Sequence, residues 1–253
     1  MLQVEHLRKS FGGVVATNDV SMDFPSRSLT AVIGPNGAGK TTFFNLVSGH
    51  LRADAGRVVF DGEDITPLSS LQIVRRGLAR AFQVASIFPD LTLEDSLIAA
   101  VTSHQRRSFV TGQRFPLAAA RERAHEIMEM LDLTTRARAL SRSLPHGDQK
   151  LLDIALALAL EPKLLMLDEP TAGMGSEERW QMIEKVRELW QSQHLTIIFI
   201  EHDMDIVFRV AQRIFVLKYG TLLAEGTPAE IRANQDVIDA YLGEDHVLAE
   251  EPA

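Results

Sequence analysis

The sequence predicts an α/β fold with a mostly parallel sheet, and three observations carry that prediction. Residues 29–33 (LTAVI), 164–167 (LLML) and 195–200 (LTIIFI) are continuous apolar runs rather than alternating ones, as suits strands buried on both faces. Each run stops at a glycine-rich or charged cluster: Gly34-Pro35-Asn36-Gly37, Asp168-Glu169-Pro170 and Glu201-His202-Asp203. Between the last two runs, residues 177–191 place Trp180, Ile183, Val186, Leu189 and Trp190 at helical spacing, and strand–helix–strand implies a right-handed parallel crossover.

The elements follow in order. After the first strand and its glycine loop, the pattern TTFFNLVSG from Thr41 reads as a helix. Residues 87–143 are rich in helix formers, including RERAHEIMEMLDL at 121–133, and read as a helical insert. Within it, residues 103–116 mix arginines with glycine and proline and read as a solvated loop. Beyond Gly226-Thr227-Pro228 one helix is expected through Ile231, Val237, Ile238, Ala240 and Tyr241. After it, Glu244, Asp245, Glu250 and Glu251 form an acidic tail expected to fray into solvent.

Composition narrows the functions. A chain of 253 residues with 45% hydrophobic and 24% charged residues is that of a folded globular protein. Its formal charge of -8 gives no general attraction to nucleic acid. The absence of cysteine excludes disulfides, thiolate metal sites and a cysteine nucleophile. The N-terminus lacks a basic start followed by an apolar stretch, so a cytoplasmic protein is expected. No apolar run approaches the ~18 residues of a membrane span, and Asp153 breaks the run at 151–160, so a membrane role must come through a partner.

Two motifs carry chemistry. Gly34-Pro35-Asn36-Gly37-Ala38-Gly39-Lys40-Thr41 fits the phosphate-loop pattern G-x-x-x-x-G-K-[ST], between a strand and a helix as that pattern requires. Its glycines turn successive backbone N–H groups toward phosphates, Lys40 brings a point charge to the β and γ oxygens, and Thr41 offers a hydroxyl to Mg²⁺. Residues 164–169 form an apolar strand ending in two adjacent carboxylates, a costly pairing unless a cation neutralises one. Asp168 is suited to hold Mg²⁺ and Glu169 to polarise the attacking water.

With Arg80-Ala81-Phe82-Gln83, Leu144-Pro145-His146-Gly147-Asp148-Gln149, Leu167-Asp168-Glu169-Pro170-Thr171 and Ile200-Glu201-His202-Asp203, these motifs fall in the order of ATP-binding cassette proteins, which the chain resembles over nearly its whole length. The resemblance implies a P-loop NTPase core with an N-terminal antiparallel β region and an inserted helical subdomain. It implies residues 1–86 and 148–228 as the two parts of the core, 87–147 as the helical subdomain ending in the signature segment, and 229–253 as a C-terminal helix and tail. It places Gln83 between the γ-phosphate, its Mg²⁺ and the helical insert, and His202 against the γ-phosphate. Phe11 falls where the family sets an aromatic ring against adenine; read by itself it is equally a core phenylalanine at a strand end. Thr42 joins the phosphate-loop contacts, and His146, Gly147 and Asp148 face the ATP of a second cassette.

Two positions depart from the family pattern. Pro145 stands where a serine would meet the partner's γ-phosphate, and Gly175 where Asp or Asn is usual. A helix starting near Asp148 would still present its positive dipole end. Because Lys40, Thr41, Gln83, Asp168, Glu169 and His202 are all present, an active ATPase is expected rather than a decayed site.

Phe11-Gly12-Gly13, residues 77–83 and 88–94, Ala172-Gly173-Met174, Gly226-Thr227-Pro228 and Tyr241-Leu242-Gly243 are similar to the ATP-binding subunits of branched-chain or hydrophobic amino-acid uptake transporters. That likeness implies ATP and Mg²⁺ as cofactors and a second ATP-binding subunit, identical or paralogous. It also implies membrane permease subunits that receive the chain on the inner face of the membrane, an indirect solute-binding protein, and no nucleic acid. A groove between insert and core, near residues 83–91, would receive a short permease helix. The alternatives are a urea/amide or lipopolysaccharide-type transporter ATPase, a soluble cassette ATPase, and a regulatory nucleotide-binding module without turnover.

Overall fold

The computed structural model describes residues 1–81, 88–105 and 118–247, with side chains through Tyr241. Two compact units emerge, residues 1–73 with 196–253, and residues 74–195.

The first unit opens with β1 (Leu2–Phe11), β2 (Val14–Phe24), β3 (Leu29–Ile33), α1 (Lys40–Val47), β4 (Ala55–Phe60), β5 (Glu63–Asp64) and, at its boundary, α2 (Ser70–Val74). The second holds β6 (Leu78–Ala81), α3 (Leu93–His104), α4 (Ala118–Met130), α5 (His146–Leu158), β7 (Leu164–Asp168) and α6 (Ser176–Gln193). The first resumes with β8 (Thr196–Ile200), α7 (Met204–Val210), β9 (Arg213–Lys218), β10 (Thr221–Gly226), α8 (Pro228–Ala233) and α9 (Gln235–Val247).

In the first unit an antiparallel sheet runs in the order β2-β1-β4-β5. Only one of its faces is apolar: Leu2, Val4, Leu7, Val20, Met22 and Phe24 are buried while their neighbours are exposed, the period expected of a sheet with one wet side. A second set of strands runs β10-β9-β3-β8, with β3 parallel to both β8 and β9. Every residue of β3 and β8 is buried, which is why their sequences are continuous apolar runs. Phe24, Phe43 and Phe215 fill the space beneath, with the rings of Phe24 and Phe215 centred 5.0 Å apart.

In the second unit β6 and β7 pair in parallel, Leu78 with Leu164 through Ala81 with Leu167. Helix α6 buries Met182, Ile183, Val186 and Leu189. The sequence pattern places Trp180 and Trp190 on that face as well; they lie only half-buried at its margins, and Met182 takes the central position.

Helix α5 begins at His146, close to the expected start near Asp148, with Pro145 in the N-cap position. The structure corrects one expected element. The single C-terminal helix is two, because Asn234 is extended and its side chain accepts from the N–H groups of Asp236 and Val237, starting α9 afresh. Glu244 and Asp245 therefore lie within α9 rather than in a frayed tail, while Glu250 and Glu251 fall outside the described residues.

Candidate active site

The phosphate loop joins β3 to α1. Its carbonyls are occupied within the protein: Pro35 accepts from the N–H of Ala38 at 3.1 Å, Ala38 from Gly220 at 3.0 Å and Gly39 from Phe43 at 2.8 Å. Lys40, only 6% exposed, donates to the carbonyls of Gly34 at 2.6 Å and Pro35 at 2.9 Å, so its ammonium is held over the loop it belongs to. With the carbonyls of Gly34, Pro35, Ala38 and Gly39 engaged, the loop offers an anion its N–H groups, the start of α1 and one buried cation. Two glycines are demanded by space: a Cβ at Gly34 would stand 2.1 Å from the carbonyl oxygen of Leu217, and one at Gly39, where φ is +99°, would stand 2.3 Å from that of Ala16. Asn36, Gly37 and Thr41 are exposed, Thr42 is half-buried and Ala38 is buried against the turn that follows β9.

His202 belongs to the same edge. Strands β3 and β8 are parallel neighbours in register, Val32 beside Ile200, so both chains leave the sheet on the side of the phosphate loop. Asp203 then caps α7 by accepting from the N–H groups of Asp205 and Ile206, which holds the exposed His202 at the strand end. Phe11, at the end of β1, is 47% exposed, which rules out the core reading and leaves an aromatic face available for stacking. The Lys9 ammonium lies 5.5 Å from its ring centre.

In the second unit Asp168 ends β7, almost wholly buried. Its Oδ2 accepts from the Arg80 guanidinium at 2.6 Å, and its Oδ1 has no hydrogen-bond partner among the described residues. Glu169 follows with φ +50°, a left-handed conformation that costs a non-glycine residue roughly 1–2 kcal/mol, directly before Pro170. Such strain persists where the surroundings over-determine it and concentrates at functional sites. The loop beyond is tight, with the N–H of Ala172 bonded to the Glu169 carbonyl and that of Met174 to Thr171.

The signature segment meets that loop. His146 Nε2 lies 3.1 Å from the Ala172 carbonyl oxygen. Asp148 pairs with Arg136 at 3.2 Å. A Cβ on Gly147 would reach nothing nearer than Met174 Cε at 4.0 Å, so nothing within the chain itself requires glycine there. Both departures from the family pattern have a local account. Pro145 lacks an N–H, but a helix makes no use of that group at the N-cap, and its carbonyl accepts the first helical bond from Gln149 at 3.0 Å. Gly175 caps α6, where glycine is tolerated, and its N–H donates to Glu178 Oε2 at 3.2 Å.

Gln83 and the greater part of the groove near 83–91 lie outside the described residues, as does most of the arginine-bearing loop. Among the described residues no cluster of three or more His, Asp or Glu side chains could hold a metal by itself. Within the second unit, Oδ1 of buried Asp168, without a hydrogen-bond partner among the described residues, is an oxygen donor of the kind a hard cation takes. Sequence reasoning missed Arg80 as a site residue. Its one signal was a lone charge inside the buried run Leu78-Ala79-Arg80-Ala81.

Residues 17–172 match the family model described as ABC transporter. The chain belongs to the ABC transporter family. Residues 221–247 match a second model, branched-chain amino acid ATP-binding cassette transporter. The chain is 38% identical over 250 residues to the high-affinity branched-chain amino acid transport ATP-binding protein LivG of Salmonella typhimurium, covering 96% of this chain and 98% of that one. It is therefore an ATP-binding subunit of the branched-chain amino acid transport branch of that family, an ATPase that hydrolyses ATP to drive transport.

Solved structures agree on the fold. An ABC-transporter cassette in its ADP conformation superposes with a TM-score of 0.84 at 30% identity, covering 96% of this chain and 98% of the other. A Clostridium perfringens cassette, described as part of the ABC transporter complex cbiONQ, gives 0.81 at 26% identity over 98% of both chains. No helix among the described residues is long and apolar enough to cross a membrane.

Proposed function

We propose that this subunit energises uptake of branched-chain or other hydrophobic amino acids, working as a pair of cassettes on the inner face of the membrane beneath permease subunits served by a solute-binding protein. The match of residues 221–247 to the branched-chain model carries this reading, because it lies outside the general ATPase motifs. In it, residues 1–86 and 148–228 form the ATP-binding core, 87–147 the helical subdomain that engages the permease, and 229–253 the C-terminal helical segment.

Gly34, Asn36, Gly37, Ala38, Gly39, Lys40, Thr41 and Thr42 bind the phosphates, with the Lys40 ammonium moving from the carbonyls of Gly34 and Pro35 to the β and γ oxygens. Phe11 stacks on the adenine. Thr41, Gln83 and Asp168 would hold Mg²⁺, which would supply positive charge to the phosphate oxygens. Glu169 accepts the proton of a water whose oxygen attacks the γ-phosphorus while the bond to ADP breaks, and His202 donates to a γ oxygen. His146, Gly147 and Asp148 face the partner's nucleotide. The γ-phosphates thus bridge the two cassettes, and hydrolysis removes the bridge.

The test is to tag the chain, solubilise native membranes gently and identify what co-purifies. Multi-span permeases, together with a solute-binding protein that retains leucine, isoleucine or valine, are expected. Recovery of ribosomal or DNA-bound partners alone would overturn the transport reading, and a urea-retaining binding protein would overturn the substrate class.

A further inference from the structure

We infer that Arg80 is a positioning residue that fixes the Asp168 carboxylate with one oxygen engaged and the other presented to the metal. The inference rests on the reading of Asp168 as the metal-side carboxylate. Arg80 lies on β6 and Asp168 at the end of the parallel neighbour β7, and their side chains are 5% and 2% exposed. Long cations are rarely buried so fully unless paired. A guanidinium frequently meets a carboxylate with both prongs, the geometry that satisfies both oxygens. Here the contact is a bond to Oδ2 at 2.6 Å, while Oδ1, itself without solvent access, has no partner among the described residues. Two more buried charges, Lys150 and Asp153 on α5, line a cavity of about 10 Å³ with Asp168, Ala81 and Leu167, and the four charges balance. Arg80 is needed for that balance, and its contact with one oxygen also orients the carboxylate. Partners that orient a metal-side ligand typically set metal affinity by about 10–100-fold.

The experiment uses the full chain with a non-hydrolysable ATP analogue and Mn²⁺ as probe, free Mn²⁺ being read by electron paramagnetic resonance. Arg80→Met should weaken Mn²⁺ binding by at least about tenfold. Arg80→Lys keeps the charge without the fixed fork and should weaken it by a smaller but measurable factor. Analogue binding in EDTA should stay within about twofold for both, and the Mg²⁺ needed for half-maximal turnover should rise more than kcat falls. Unchanged Mn²⁺ affinity in both variants overturns the inference. So does a parallel loss of analogue binding in EDTA and of melting temperature, which marks a purely structural pair. If Arg80→Met does not fold, Arg80→Lys decides. Asp168→Asn separates the two levels: if it too leaves Mn²⁺ affinity intact, the metal-side reading fails, whereas if it alone abolishes binding only the role of Arg80 falls.

Discussion

His146 Nε2 and the carbonyl oxygen of Ala172 lie 3.1 Å apart, joining the first residue of the signature helix to the loop that follows Glu169. The contact needs Gly173, whose φ is +80° and whose Cβ, if present, would stand 3.1 Å from the same ring nitrogen. Replacing His146 with Phe keeps a ring and removes the bond, so it should cost no more than about 1 kcal/mol of stability. Turnover should fall further than stability, because the loop that aims Glu169 loses an anchor. Gly173→Ala should do the same at greater thermal cost, since a left-handed alanine adds roughly 1–2 kcal/mol of strain. Equal kcat for wild type and both variants would show that the contact does not act on the catalytic loop.

Gly39 and Gly37 give a paired prediction within the phosphate loop. Both have positive φ, but only at Gly39 would a Cβ collide with backbone. Gly39→Ala should destabilise by roughly 2 kcal/mol or more and abolish ATP binding, whereas Gly37→Ala pays only for its conformation, about 1 kcal/mol. Thermal melts with and without ATP check this; equal losses at the two positions would contradict it.

Phe11→Ala should lower ATP affinity by about 1–3 kcal/mol, the usual worth of base–aromatic stacking, and leave stability within about 0.5 kcal/mol because the ring is half-exposed. Phe11→Tyr should bind as well as wild type. Isothermal titration resolves both, and unaltered affinity in the alanine variant would remove Phe11 from the adenine site.

Pro145→Ser restores an N-cap hydroxyl at a position that already adopts extended, cap-like angles, φ -52° and ψ 154°. The melting temperature should rise, by the equivalent of about 1 kcal/mol, with ATPase activity undiminished. A steep loss of activity would mean that the proline itself shapes the signature turn.

Much of this architecture is legible in the sequence because the strands that matter are buried on both faces. The continuous runs at 29–33 and 164–167 mark β3 and β7 almost to the residue, and the glycine and carboxylate clusters mark where their chains leave the sheet. Less legible is what side chains decide among themselves. Asn234 splits the C-terminal helix because a short polar side chain competes for the N–H groups ahead of it, which hydrophobic periodicity does not register. Arg80 is invisible as a site residue because its partner lies 88 positions along the chain, across a pair of parallel strands.

On the proposed function, this chain closes on ATP and opens by hydrolysis with Glu169 as the base. This is tested most directly by comparing wild type and Glu169→Gln for steady-state turnover and for dimer content in ATP by size-exclusion chromatography with light scattering. The account predicts turnover slowed at least ~100-fold, intact ATP binding, and a dimer that persists in ATP only for the variant. Near-normal turnover in Glu169→Gln, or a variant that binds ATP yet stays monomeric, would contradict it.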